Sequence, residues 1–354
     1  MSKISLPICA VVPIVLPFEY PMFDEQRRVL SLLLEGLPKL AGSLSISIPL
    51  ANMTLGVEIE ILDDFNLISG FSGLWSPRSQ SSYKFLCFAA EAIVDEENTV
   101  LNFGGTNETL SEMQGIEREL ACLAFADDFG VGVCHVLTAV AIALPRSMIS
   151  DSPMVVINGV GDREIPELHG DIDSAVEMAR KEGWPPVRDI DVAKSWQWFS
   201  RLPGLESGIV SGAVGGAVAA LSRIIYPETP YDVSTSLTWA LLGLEAIYGR
   251  GSIGIGEQLR EKSELLFGKC SSNKKRLAAA YNFRSRFLHG DLDIPFRYTE
   301  EFEHDEILKL SYAQWDAALF ATVLLISTLQ EFVLRDVYEL YFPYTVSVKS
   351  PESG

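Results

Sequence analysis

The stretch SSNKKRLAAAYNFRSRFLHG, residues 271–290, predicts a helix that ends at Gly290. Serine and asparagine are common caps at the start of a helix, and a glycine commonly follows the last turn. The helix is also basic, because the run from Lys269 to Arg286 contains six basic residues and no acidic one. Such a helix is unexpected in a chain of 354 residues whose formal net charge is −19.

Five further helices are predicted around this basic helix. Each has an apolar face, and most begin at a serine, threonine or aspartate or end at a glycine. The five segments are residues 191–202, 206–225, 231–249, 255–268 and about 311–340. We therefore predict an all-α helical bundle over residues 191–345, followed by a flexible tail at 346–354.

The first half of the chain has a different period. TLGVEIEIL, residues 54–62, alternates Val57, Ile59 and Ile61 with two glutamates, and SLSISIPL at 43–50 alternates in the same way. Period-two alternation is typical of strands with one buried face. These segments indicate that the N-terminal part of the chain contains a sheet.

The remaining N-terminal segments complete a mixed domain. Strands are predicted at 83–94 and 153–160 and a helix at 108–128, while 129–144 is either a buried helix or a pair of strands. The segment WPPVRDIDV at 184–192 has two prolines followed by Asp189 and Asp191, either of which could cap the next helix. The predicted fold class is α+β, with a mixed, strand-containing domain over residues 1–190 and the helical bundle after it.

The composition argues against metal sites and disulfide frameworks. Five cysteines and four histidines are dispersed, without C-x-x-C spacing or a Cys/His pairing of zinc type. An odd, scattered set of cysteines is typical of a reducing compartment. We expect neither a metal nor a cofactor.

Membrane insertion is not expected either. Three apolar runs cover residues 129–145, 208–225 and 318–334. Each is shorter than the ~20 clean apolar residues of a typical span or carries a charge, so buried core helices are the better interpretation. The N-terminal apolar run is broken by Pro7, Pro13 and Pro17, which is not typical of a signal peptide. A cytoplasmic protein is predicted.

Arg284 and His289 form an R-x4-H pattern within the basic helix. A similar pattern occurs in REIPELH, residues 163–169, but Pro166 prevents a continuous helix there and its glutamates repel phosphate. On the residues alone, a solvated basic face and a histidine favoured by the helix dipole explain the pattern. The acidic net charge also argues against a general nucleic-acid binder, which usually has a basic face. The neighbouring segments give the pattern its context.

Three segments of the helical region resemble the HEPN superfamily, and most closely its Apea-like branch of bacterial defence proteins. They are LTWALLGLEAIYG at 237–249, REKSELLF at 260–267 and AAAYNFRSRFLHGD at 278–291. The most specific pieces are the L-E-x-I-Y helix end and the Y-x-x-R-S-R-x-x-H-G run. The resemblance covers roughly the last 150 residues and does not extend to the first 180.

The resemblance implies a metal-independent endoribonuclease in which Arg284 and His289 are catalytic. RNA supplies its own nucleophile, the 2′-hydroxyl, so cleavage needs proton transfer and stabilisation of charge on the phosphate. Histidine, with an ordinary pKa of about 6.5, transfers protons near neutral pH, and arginine offers a planar fork to phosphate oxygens. The family further implies a homodimer with a composite cleft. The residues expected to contact RNA are Arg286, Lys274, Lys275, Arg276 and Ser285.

Helix geometry sets one condition on the catalytic pair. Residues five apart on an ideal helix point about 140° away from each other. Arg284 and His289 therefore share a face only if the helix ends before the histidine, as Gly290 suggests. Arg286, three residues before His289, would share its face if the helix continued.

Three functions stay open from the sequence. The first is a HEPN endoribonuclease in bacterial anti-phage defence or toxin-type growth arrest, regulated by the N-terminal domain and by a regulatory protein or phage-derived trigger. The second is a non-catalytic HEPN dimerisation or binding module, such as an antitoxin or scaffold. The net charge favours it, as does Ser285, which stands where many catalytic members have Asn, Asp or His. The third is an enzyme whose chemistry lies in the N-terminal domain.

Overall fold

The computed structural model has an α+β fold, with a sheet in its N-terminal region and helices in its C-terminal region. It describes residues 3–15, 24–40, 44–49, 53–63, 83–97, 99–103, 106–147, 154–157, 162–165, 172–226, 233–249, 254–270, 273–291 and 305–342. Its strands are β1 Lys3–Val15, β2 Ser45–Ile48, β3 Met53–Gly56, β4 Glu58–Leu62, β5 Tyr83–Asp95, β6 Val100–Phe103, β7 Thr106–Thr109, β8 Met154–Ile157 and β9 Asp162–Ile165. Its helices are α1 Asp24–Gly36, α2 Ile116–Ala143, α3 Ile172–Glu182, α4 Val192–Phe199, α5 Gly212–Ile225, α6 Val233–Tyr248, α7 Ile255–Phe267, α8 Asn273–His289 and α9 Asp305–Arg335. The predicted fold class is confirmed.

The largest sheet has five antiparallel strands in the order β4-β5-β1-β8-β9. β1 and β5 pair along their whole length, from Lys3 opposite Asp95 to Val15 opposite Tyr83. Strands β2 and β3 form a separate hairpin, as do β6 and β7. Alternate side chains of β1, beginning at Ile8, belong to the hydrophobic core. The sheet thus presents one face to the helices.

The central strand β1 is one of the elements that the sequence did not predict; the others are α1, β6, β7, β9 and α3. Its apolar run was compared only with a signal peptide, because prolines are unusual in a central strand. The structure shows how they are accommodated: β8 pairs only with residues 9–11 of β1, so Pro7 and Pro13 lie outside that contact. Proline has no N–H group, and this is tolerated where no neighbouring strand is available to accept a hydrogen bond from it. The alternating segment at 43–50 contains the predicted strand β2, whereas the single strand predicted at 54–62 is divided at Val57 into β3 and β4, which belong to different sheets.

Helix α2 settles the ambiguity at residues 129–144. It runs without interruption from Ile116 to Ala143, so this segment is a helix and not a strand pair. Its last two turns, Val136–Ala143, are buried on every side, and the helix packs on β1, β8, α4 and α5. A helix that is apolar all round shows no hydrophobic periodicity. The sequence pattern therefore could not distinguish a helix from a pair of strands at residues 129–144.

One hydrophobic core includes residues on both sides of the boundary predicted near residue 190. Asp191 caps α4 by accepting a hydrogen bond from the backbone of Ala193, as the sequence suggested. The amide of Gln330 on α9 donates hydrogen bonds of 2.8 Å to the Ile142 carbonyl and 2.7 Å to the Arg188 carbonyl. The end of α2, the junction segment and α9 are therefore held together at one buried point.

Helix α9 is the central helix of the bundle, and it packs against α3, α5, α6 and α8. Gly243 of α6 allows a close approach there, because a Cβ atom at this position would lie 3.0 Å from Leu325 and Ala220 side chains. The helix begins at Asp305 and ends at Arg335, a few residues earlier at each end than predicted. Between residues 235 and 290, the described residues form helices and turns without a strand.

Two helices among the described residues are long and apolar enough to cross a membrane, Ile116–Ala143 and Leu308–Arg335. The most apolar window of the second is 94% buried inside the protein, and that of the first is 56% buried. Core helices of soluble proteins pass the same test of length and composition. The cytoplasmic location stays a prediction.

Candidate functional site

The basic helix α8 extends through His289 and so does not end before the histidine. Gly290 follows with a positive φ of 75°, and the Asp291 N–H donates to the Arg286 carbonyl at 2.8 Å. This six-to-one hydrogen bond around a left-handed glycine is the Schellman ending of a helix. The expectation that the helix ends before His289 is therefore wrong.

The extension changes which arginine accompanies the histidine. With His289 inside the helix, Arg284 points about 140° away from it on the same chain, whereas Arg286 is offset by only about 60°. His289, Arg286 and Ser285 are exposed. The Arg286 guanidinium donates to the Asp291 carbonyl at 3.1 and 3.3 Å, so it lies over the end of the helix. By helix spacing Arg286 is therefore nearer to the direction of His289 than Arg284 is.

Arg284 points towards α6 instead. Its Nη1 donates to Oε1 of Glu245 at 2.5 Å, and the two side chains are 21% and 15% exposed. The Nε atom of Arg284 is buried and has no hydrogen-bond partner among the described residues. The hydroxyl of Tyr281, one turn before Arg284, is buried and faces the same carboxylate of Glu245. Burial and the charge of Glu245 raise the pKa of Tyr281.

The Glu245–Arg284 contact joins the two most specific segments of the resemblance. Glu245 is the acidic residue of L-E-x-I-Y on α6, and Arg284 is the first arginine of the Y-x-x-R-S-R-x-x-H-G run on α8. The tyrosine that ends the α6 segment, Tyr248, is buried and its hydroxyl lies 2.8 Å from that of Thr328 on α9. Sequence reasoning gave Glu245 no role. The signal was present, since it is the one charged residue in the apolar run LTWALLGLEAIYG.

The lysines and the arginine of the sequence KKR have different environments. Lys274 and Lys275 are exposed near the start of α8. Arg276 is held between helices: its guanidinium lies 2.5 Å from Glu182 of α3 and 3.5 Å from Asp316 of α9, and above the ring of Phe320. Only the two lysines of this group are therefore accessible to a ligand without breaking contacts within the chain.

Much of the apolar surface of α5 and α9 lies inside the chain. Buried side chains of α5 include Val214, Val218 and Leu221, and α9 is enclosed by its neighbours over most of its length. On the described surface of the helical region, the large exposed apolar side chains are Ile209, Leu242, Ile255, Leu265, Tyr312, Trp315 and Tyr341. Three of them, Ile209, Tyr312 and Trp315, lie within residues 208–225 and 312–334, so these two segments keep some exposed apolar surface.

A cavity of about 280 Å³ lies away from α8, between the β2–β3 hairpin, α2 and α4. Its lining includes Asp128, His135, Trp196 and Ser200. Burial lowers the pKa of His135, so this histidine is neutral near pH 7. Among the described residues, no group of three or more His, Cys, Asp or Glu side chains could hold a metal ion.

No family model matches the chain, and no curated protein or solved structure is significantly similar to it. The assignment of a function thus depends on the residues and the geometry of this chain.

Proposed function

We propose that the chain is a metal-independent endoribonuclease of the HEPN type, related to the Apea-like branch, that acts in bacterial anti-phage defence or toxin-type growth arrest. The observation that carries the proposal is the Glu245–Arg284 ion pair of 2.5 Å. It unites two segments that lie 39 residues apart in the chain and that resemble the superfamily independently of each other. A chance likeness in two separate segments gives no reason for them to meet.

The exposed end of α8 supplies the groups that RNA cleavage needs. His289 accepts the proton of the 2′-hydroxyl, or donates one to the leaving oxygen, because an imidazole does both near neutral pH. Arg286 shares its face and stabilises the negative charge that develops on the phosphate. Ser285, Lys274 and Lys275 are exposed on the same helix and contact the RNA backbone.

In this proposal Arg284 has a positioning role within each chain. Its ion pair with Glu245 fixes α8 against α6, which sets where Arg286 and His289 lie. The composite cleft of the superfamily would place the ends of two α8 helices opposite each other. A homodimer thus doubles the positive charge at a single cleft on an otherwise acidic protein.

Contacts of the N-terminal region with α8 and α7 support regulation of the site. Glu182 of α3 binds Arg276 at 2.5 Å, and the indole of Trp184 donates to the Gly268 carbonyl at 3.2 Å. A change in the N-terminal region would move α3 and therefore the start of α8. A regulatory protein or a phage-derived molecule would act through this connection.

The second candidate, a non-catalytic binding module, is favoured by the engagement of Arg284. An arginine that is paired with Glu245 and mostly buried stabilises the bundle whether or not RNA is cleaved. Such a module would form the same dimer and bind a partner without turnover.

Cleavage of total RNA by the purified chain in excess chelator distinguishes the two candidates. We expect discrete fragments with 2′,3′-cyclic phosphate ends, and a rate that falls by roughly 10²–10⁴ in His289→Ala and in Arg286→Ala. Arg286→Lys should restore little activity, because an ammonium does not reproduce the planar fork. His169→Ala is the matched control, since it lies in the other arginine–histidine pattern, outside the described residues. If the His289 and His169 variants are equally active, or if the wild-type chain does not cleave RNA, the binding module is the better function.

A further inference from the structure

Two cysteines meet on the five-stranded sheet, far from the end of α8 in sequence. Cys9 of β1 and Cys87 of β5 are free thiols whose Sγ atoms are 2.7 Å apart. Cys87 lies opposite Val11 in the strand register, so the two cysteines are diagonal neighbours on one face of the sheet. The sulfur atoms of a disulfide are about 2.05 Å apart. A bond between Cys9 and Cys87 therefore requires the sulfurs to approach by less than about 1 Å.

The two thiols differ in environment. Cys9 is half-buried, whereas Cys87 is 7% exposed. The hydrogen bond between them lowers the pKa of Cys87 and raises that of Cys9, because one sulfur accepts the proton that the other donates. Glu60 of β4 lies directly opposite Cys87, and its negative charge raises the pKa of both thiols. Cys87 thus ionises at a lower pH than Cys9, and the negative charge of Glu60 opposes this ionisation.

We propose that Cys9 and Cys87 form a modification site, a reversible dithiol–disulfide pair that a peroxide oxidises. The Cys87 thiolate attacks one oxygen of hydrogen peroxide, so an S–O bond forms and the O–O bond breaks. The hydroxide released takes up the proton that the Cys87 thiol lost when it ionised, and becomes water. The Cys9 sulfur then attacks the sulfenic acid of Cys87, the S–S bond forms, and the hydroxyl leaves as a second water with the Cys9 proton. A dithiol reductant reverses the oxidation.

The bond would connect the two longest strands of the sheet. It closes a loop in which the linked residues are 78 positions apart and which includes α1, β2, β3 and β4. Closing a long loop restricts the unfolded chain more than the folded one. The oxidised protein should therefore unfold at a higher temperature than the reduced protein. This inference is independent of RNA cleavage.

Mass spectrometry of the full chain after treatment with one equivalent of hydrogen peroxide tests the proposal. We expect that two of the five thiols are lost, that non-reducing digestion yields one peptide pair linking Cys9 to Cys87, and that the melting temperature rises by several degrees. Cys9→Ala should stop the reaction at a sulfenic acid on Cys87, which a dimedone-type reagent traps. Cys87→Ala should form neither product. Cys270→Ala is the matched control, because Cys270 is half-buried like Cys9 and should leave the linkage intact.

A second variant tests the chemistry without removing a thiol. Glu60→Gln removes the charge that raises both thiol pKa values, so at pH 7 the thiolate fraction and the oxidation rate should rise several-fold. Disulfides between chains, oxidation confined to other cysteines, or a wild-type chain that keeps a sulfenic acid at Cys87 would overturn the proposal. So would an oxidation rate that does not change in Glu60→Gln.

Discussion

Glu245 is the residue that keeps Arg284 stable in the interior of the bundle. Arg284 already has one buried N–H without a partner, so its charge is compensated mainly by this carboxylate. Replacing Glu245 by Gln leaves a mostly buried guanidinium beside a neutral amide. We expect the free energy of unfolding to fall by about 1–3 kcal/mol, measured by urea denaturation.

An exposed ion pair of the same bundle provides the control. Glu257 pairs with Arg260 one turn along α7, and their side chains are 50% and 23% exposed. Solvent screens such a pair strongly, so Glu257→Gln should change stability little. Equal losses in the two variants would show that the Glu245–Arg284 pair is no more than a surface contact.

Glu25 shows how helices α1 and α3 are held together, and it makes their docking sensitive to acid. Hydrogen bonds from Arg28 and Arg180, opposed by slight desolvation, lower the pKa of Glu25 to about 2. A carboxylate with a lowered pKa stabilises the fold above its unfolded pKa of about 4.3, and this contribution is lost as the pH falls towards 2. Because Glu25 is partly exposed, screening reduces the effect.

We therefore predict that Glu25→Gln makes stability less dependent on pH between about 4.5 and 2, with a lower stability than wild type at pH 7. Denaturant unfolding at several pH values measures this slope. Glu35→Gln, an exposed position near the end of the same helix, is the control and should keep the wild-type slope. A parallel loss at every pH in Glu25→Gln would contradict the ion-pair explanation.

The start of α8 gives a prediction about RNA affinity. If RNA follows α8, few phosphates are neutralised, and the log-log dependence of affinity on salt should have a slope of about −3 to −5. Lys274→Ala with Lys275→Ala should weaken binding and make the slope shallower by about 1.4, since each phosphate contact on a single strand contributes about 0.7. The cleavage rate at saturating RNA should be unchanged.

Arg276 is left intact in that variant because its removal would confuse two effects. It links α3, α8 and α9, so Arg276→Ala is expected to loosen the bundle as well as to remove a charge. Titration of a labelled RNA at three salt concentrations gives the slope. Unchanged affinity in the double lysine variant would place the RNA on a different surface.

The sequence was sufficient for elements whose period or caps are local. Alternation indicated strands where β2, β3 and β4 lie, and glycine or aspartate signals identified α4 and α8. It was not sufficient for β1, whose Pro7 and Pro13 lie outside its contact with β8, nor for the helical character of 129–144, most of which is buried. The candidate site was predictable to the same extent. The basic helix could be predicted from local signals, whereas its exact end could not. The partner of Arg284 lies on a helix distant in sequence.

The acidity of the whole chain limits where an RNA can bind. A net charge of −19 repels nucleic acid from most of the surface, so an RNA that binds must approach the few accessible cations. Two α8 helices brought together by a dimer would concentrate these cations. The oligomeric state is therefore inseparable from the proposed activity.

A mixture of two inactive variants tests this shared site. Arg286→Ala and His289→Ala should each be nearly inactive as homodimers, because each lacks one of the two groups that act on the phosphate. In a mixed dimer, the cleft keeps one His289 from one chain and one Arg286 from the other.

If both chains contribute to one cleft, co-expression of the two variants should recover activity well above that of either alone, and light scattering should give twice the chain mass. A chain that carries both substitutions is the control, because pairing it with either single variant leaves the cleft without one of the two groups. Recovery that is absent, together with the mass of a single chain, would contradict the composite cleft and would leave each α8 to act alone.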